Sequence, residues 1–231
     1  MPPMAKPQAD TVQQTMEKSE AALRRGAWFE AERLAGKALA VARVEDDFDA
    51  MARIVLPLQE SRRQRLAVAF EHRKVRRAEV AVTEQDRVEP GIHVVSPPLV
   101  GADARRLRLL ALEQEVPVAV LCHEPLTRLK ECPIVAIGPV TIRTRIEPPR
   151  RPEAPTPSWV AKALEQLGDR AIEDLDPGQD LLKRIDHLIN CLETHPDHEK
   201  LHQTLAESCR EAARRGLKSP PVSTPAGYSG P

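Results

Sequence analysis

Apolar positions along this chain recur with distinct periods. In residues 28–43, Ala31, Leu34, Ala35, Ala38, Leu39 and Ala42 return at the three- and four-residue spacing of one helix face. The small side chains on that face let a second helix approach closely. Residues 11–25 contain neither Gly nor Pro and are rich in helix formers, so a helix is predicted there, punctuated by Gly26. Asp46 or Asp47 can accept backbone N–H groups at the start of a third helix. Pro57 falls inside that third pattern and predicts a kink, or a split at Leu56.

The rhythm then changes. A short apolar run, 92–96, follows a Pro90-Gly91 turn, and residues 101–115 predict a helix with Leu107, Leu110 and Ala111 on one face. Residues 116–121 are a β-branched run suited to a strand buried on both faces. The three make a β-α-β unit, whose crossover is long enough for parallel, right-handed pairing. Residues 134–137 predict another strand. In 140–147, Val140, Ile142, Thr144 and Ile146 alternate with Thr141, Arg143, Arg145 and Glu147, as a charged edge strand would. Ser158 then caps a helix to about 174, and after the Asp176-Pro177-Gly178 turn further helices are predicted at 180–194 and 196–216.

Proline marks the divisions, because helix interiors exclude it. The expected organisation is a disordered 1–9, a helical block at 10–77, a small α/β domain at 78–149, a Pro-rich linker at 150–157, a helical block at 158–216 and a disordered tail at 217–231. The fold class is mixed α and α/β, with helical hairpins at both ends around a small β-α-β-β domain.

Composition narrows the function. Lys plus Arg is 34 and Asp plus Glu is 34, so no global field draws the 231-residue chain to nucleic acid or an anionic membrane. Three Phe, two Trp and one Tyr are thin provision for stacking on bases. The N-terminal residues have no apolar signal core, and the longest hydrophobic run, 116–122, is too short for a membrane span. A cytoplasmic chain is therefore expected, with its four cysteines as free thiols, since none forms a C-x-x-C pair.

The helical blocks resemble tetratricopeptide repeats. Gly26, Trp28, Ala31, Ala38 and Leu39 match the turn and second helix of such a repeat, with Ser19 on the preceding small position. Thr15, Lys18, Ala35 and Arg43 depart from the family pattern. In the last block Ile185, Leu188, Cys191, Leu192 and Pro196 resemble a second helix and its boundary. His202, Leu205, Ala206 and Cys209 fit the first helix of a following repeat. The resemblance implies a non-catalytic adaptor or scaffold with a protein or peptide partner. It places Gln13, Met16, Glu17, Glu20, Leu23 and Arg24 on the partner-facing surface.

Three sets of residues offer other chemistry. His198-Glu199-Lys200-Leu201-His202 is a literal H-E-x-x-H, and His195 could add a ligand. Pro196 just before it predicts an exposed, inert first turn, so neither metal nor cofactor is expected. Cys122, His123 and Glu124 follow a strand, where α/β folds display functional groups, and with 96–103 and 121–132 they define an alternative enzyme or ligand site. Asp103 disfavours an anion at the Gly101 helix start. Neighbours on an extended strand point to opposite faces, which separates Cys122 from His123. Finally Arg62, Arg65, Arg73 and Arg76 are read as one helical stripe. An intramolecular acidic partner or a solvated face is the leading reading of it, and nucleic acid the alternative.

Overall fold

A computed structural model describes residues 11–219. The segments expected to be disordered, 1–9 and most of 217–231, lie outside the described residues. Within the described residues, Leu217 packs on the core and the Ser219 backbone N–H donates to Asp46 Oδ2 at 2.7 Å.

Three helices open the chain: α1 (Val12–Arg24), α2 (Trp28–Val44) and α3 (Phe48–Glu71). Thr11 Oγ1 accepts from the Gln14 N–H, and the Gln14 side chain accepts from the Thr11 N–H, so two donors that helix geometry leaves free are satisfied at once. On α2, Ala31, Ala35, Ala38 and Ala42 are all buried, and the helix packs between α1 and α3. Ser19 fits the same close approach, its hydroxyl donating 2.7 Å to the Ala31 carbonyl.

Asp47 caps α3, which runs through Pro57 as one helix and does not split at Leu56, the second of the two expected outcomes. A proline inside a helix costs about 3 kcal/mol. Here Ile54, Val55, Pro57 and Leu58 are all buried, and their packing offsets that cost. The helix also stops earlier than 77. Residues Val75–Ala78 form strand β1, because they find a partner in strand β2 (Gly91–Val95), along which β1 runs parallel.

The β-α-β unit is β2, helix α4 (Gly101–Glu113) and strand β3 (Val118–His123), with β2 and β3 parallel. Strands β4 (Cys132–Ile137) and β5 (Thr141–Ile146) follow, antiparallel, in a five-stranded sheet of order β1-β2-β3-β4-β5. β5 is an edge, as its charge alternation predicts. Val95, Cys122 and Val135 cluster with Ala104 of α4 on one face of the sheet. Ile92, Val94, Ala119, Leu121 and Ile134 enter the main core, on the face packed by α3.

Helices α5 (Pro157–Glu173), α6 (Leu181–Thr194) and α7 (Glu199–Arg214) complete the chain. α7 packs against α3, α5 and α6, so one apolar core extends from Met16 on α1 to Ala212 on α7. The turn from α6 to α7 is held against the sheet. Thr194 Oγ1 donates 3.2 Å to the Val140 carbonyl, and a Cβ at Gly138 would fall 2.4 Å from Thr194 Oγ1, so only glycine permits the approach. No helix among the described residues is long and apolar enough to cross a membrane.

Candidate functional site

Glu32 lies three and seven residues before Ala35 and Leu39 on α2, so the helix period turns its carboxylate inward, where the residue is 8% exposed. A buried carboxylate requires charged partners. α3 supplies two of them one turn apart. Arg62 Nε donates to Glu32 Oε1 at 2.8 Å, and Arg65 Nη2 stands 2.7 Å from Oε2. Arg62 Nη1 also lies 3.2 Å from His202 Nε2. His202 Nδ1 donates to the His198 carbonyl at 2.9 Å, so Nε2 carries no proton and accepts. Burial, and then the Arg62 charge, pushes the His202 imidazole down to about 3, which keeps it neutral.

Arg65 is fixed further by Phe29, whose ring centroid is 5.0 Å from the guanidinium carbon. Its Nε is buried without a hydrogen-bond partner. α4 brings Arg105 and Arg108 to the same place. Arg108 Nη2 donates 2.9 Å to the Glu193 carbonyl, and burial lowers the affinity of its guanidinium for its proton. Opposite stands Asp197, in the turn between α6 and α7, whose carboxyl is raised by burial against the opposing pull of Arg65 and Arg108.

These groups line a cavity of about 250 Å³ between α3, α4 and the α6–α7 turn. Four arginines there stand with the carboxylates of Glu32 and Asp197 and the Glu193 carbonyl, and Leu109, Leu112 and Val118 form an apolar wall. Glu32 is already committed to Arg62 and Arg65. Arg108 hydrogen-bonds only to a carbonyl, with Asp197 and Glu32 acting on it through space, and Arg105 makes no ion pair among the described residues. Guanidinium forks held in this way suit a carboxylate or another planar or tetrahedral oxyanion. None of the described lining residues carries a thiol or hydroxyl nucleophile.

The arginine stripe read from the sequence is thus divided. Arg62 and Arg65 take an intramolecular acid, Glu32. Arg73 lies beyond the end of α3 with φ 51°, and Arg76 sits on β1, paired with Glu89 at 2.7 Å. The stripe is not one helical face, because α3 ends at Glu71.

The H-E-x-x-H motif is not an exposed first turn. His198 and His202 are buried, and so is His195. They do not converge on one point. His195 Nε2 donates to the Leu164 carbonyl at 2.8 Å, His202 turns to Arg62, and His198 faces α5. Burial, with His198 adding, pushes His195 down to about 3.

Cys122, His123 and Glu124 also separate. The Cys122 thiol faces α4, and burial, with Glu124 and Asp103 adding, pushes it up to about 12. His123 Nδ1 lies 3.1 Å from the Glu124 carbonyl, while the Glu124 carboxylate binds Arg143 at 2.7 Å. In the neighbouring 96–103 segment, Asp103 accepts from the Val100 N–H at 2.9 Å and fills the start of α4. In the same segment the Ser96 hydroxyl is buried without a hydrogen-bond partner.

On α1, Gln13, Glu17 and Arg24 are exposed, and Glu20 and Leu23 are partly so. Met16 is not on that surface. It is 6% exposed and belongs to the core, because α2 and α3 both close over α1.

Sequence reasoning missed Glu32, Arg105, Arg108 and Asp197. Glu32 left a signal: a carboxylate in phase with Ala35 and Leu39 on an otherwise apolar face. The others left none, because long-range packing alone brings α4 and the α6–α7 turn beside α3. No protein-family model, curated protein or solved structure matches this chain.

Proposed function

We propose that the chain is a non-catalytic protein-interaction module that receives an acidic group of its partner in the arginine-lined cavity. The observation that carries this reading is the gathering of four guanidinium groups there, with Arg105 in no ion pair among the described residues and Arg108 hydrogen-bonded only to a backbone carbonyl. The size of the cavity argues for a side chain rather than a cofactor. Small-molecule pockets usually measure about 300–1,000 Å³, against about 250 Å³ here. Its apolar wall includes Leu109 and Leu112, which are 41% and 37% exposed. A partner segment that inserts a carboxylate would cover these leucines with its neighbouring apolar residues. On this reading α1 offers a second surface through Gln13, Glu17, Glu20, Leu23 and Arg24.

Affinity capture from the native lysate tests this reading with two variants. Arg105→Glu reverses a charge on an exposed side chain at the cavity and leaves the Glu32 network intact. The double change Glu20→Gln and Arg24→Gln alters only the α1 surface. A partner retained by the wild type and the α1 variant but lost by Arg105→Glu, with binding weakened by salt, is the expected result. Capture indifferent to Arg105→Glu and lost with the α1 change would overturn the cavity as the binding site.

A further inference from the structure

Glu165 and Asp169 stand four residues apart on α5, so their carboxylates leave the same helix face one turn apart. His198, the N-cap residue of α7, meets them from the neighbouring helix. Its Nε2 lies 3.3 Å from Asp169 Oδ1 and 3.7 Å from Glu165 Oε2. The imidazole side chain is 0% exposed, and Nε2 has no hydrogen-bond partner. Packing holds the ring in place. It lies over Gly168, where a Cβ would fall 2.0 Å from its Cγ, and it stacks on His195 with 5.9 Å between centroids. A rigid, buried nitrogen is therefore aimed at two carboxylates that remain open to solvent.

We propose that Glu165, Asp169 and His198 form a binding site for a divalent transition-metal ion, zinc being the ion this donor set favours. Zinc–nitrogen and zinc–oxygen bonds of about 2.0–2.2 Å place the ligand atoms of a tetrahedral site roughly 3.3–3.5 Å apart. The separations of 3.3 and 3.7 Å are already close to that. All three donor atoms fall within 4.8 Å of one another. One imidazole nitrogen with two carboxylate oxygens suits zinc, whereas calcium and magnesium ask for six or more oxygens. The two carboxylates neutralise the dication, and the remaining position faces water. The ion would tie α5 to α7.

A cationic group already occupies this field. Lys200 Nζ is 2.8 Å from Asp169 Oδ1 and 2.9 Å from Glu165 Oε1. Its side chain is 53% exposed, so the ammonium can swing into water as a metal enters. Lys200 is thus a competitor built into the site. Loading also puts the His198 proton on Nδ1, which gives up the long 3.3 Å contact where Nδ1 accepts from the Leu201 N–H. The site is not the H-E-x-x-H pair, since His202 is turned to Arg62 and Glu199 accepts from the Gln203 side chain on the exposed surface.

Untagged full-length protein, stripped with a chelator, is titrated with zinc chloride against a chromophoric zinc indicator, and its melting is followed in parallel. One bound equivalent and a raised melting temperature are expected. Glu165→Gln and Asp169→Asn, both on the solvent side, should each weaken binding roughly tenfold or more. Lys200→Gln should tighten it. His198→Asn, which retains a capping side chain, should abolish it. If His198→Asn does not fold, the two carboxamide variants decide. The absence of a bound equivalent, zinc held unchanged by Glu165→Gln and Asp169→Asn, or weaker binding by Lys200→Gln would each overturn the site.

Discussion

Two helical glycines should respond in opposite ways to the same substitution. Gly36 on α2 has nothing within 4 Å of a built Cβ, so Gly36→Ala should gain the intrinsic helix preference of alanine, about 1 kcal/mol. Gly168 on α5 stands against His198, where the added Cβ would lie 2.0 Å from Cγ and 2.3 Å from Cδ2. Carbon atoms pack at about 3.5–4.0 Å, so the ring must retreat by roughly 1.5 Å. Overpacking of this kind costs about 1–3 kcal/mol. The retreat also draws His198 away from the Leu201 N–H that it caps, a loss of about 1 kcal/mol. Set against the helix preference, Gly168→Ala should be net destabilising by about 2 kcal/mol.

Urea unfolding and thermal melting, both followed by far-ultraviolet circular dichroism, measure the two variants. For a chain of this size, melting should fall by about 6 °C for Gly168→Ala and rise by about 3 °C for Gly36→Ala. In a His198→Ala background the Gly168→Ala change should turn stabilising, because the clash has been removed. Gly168→Ala as stable as the wild type, or more so, would refute the packing of α5 against α7 described above.

Glu32→Gln should destabilise the fold by about 3 kcal/mol, since Arg62 and Arg65 would remain buried without their counter-ion; a loss under about 1 kcal/mol in the same assay would contradict this. Acid should weaken the fold early. His195 and His202, pushed down to about 3, stay neutral in the folded state, whereas the unfolded chain protonates them near pH 6.5. Their contribution is therefore complete above about pH 6.5 and declines as pH falls toward 3, by up to about 1.4 kcal/mol per pH unit for each residue. His202→Gln should shallow the slope between pH 6.5 and 5, and a flat wild-type profile there would refute the assignment. The thiols of Cys122, Cys132, Cys191 and Cys209 are buried and pushed up to between about 11 and 12. Ellman's reagent at pH 8 should label none of them quickly in the native protein, and all four after denaturation.

Local periodicity was enough to determine most of the elements. The Ala stripe of α2, the β-branched run of β3 and the alternation of β5 each carry their own period, and a period depends only on neighbours in the chain. The proline spacing likewise located the break before α5. Strand β1 was not legible, because Val75–Ala78 is a strand only through its parallel pairing with β2. The unbroken course of α3 through Pro57 was hidden for the same reason, as burial on both sides of the proline decides it. The repeat resemblance places Met16 on the surface, although it shares one helix face with Thr15, Ser19 and Ala22, and two later helices close over that face. The cavity depended on tertiary structure most of all. Glu32, Arg62, Arg108 and Asp197 come from four separate segments, and His198 meets Glu165 and Asp169 only because α7 lies against α5. Charge pairing across such distances has no period along the chain. It follows from which faces pack together, and the folded core alone settles that.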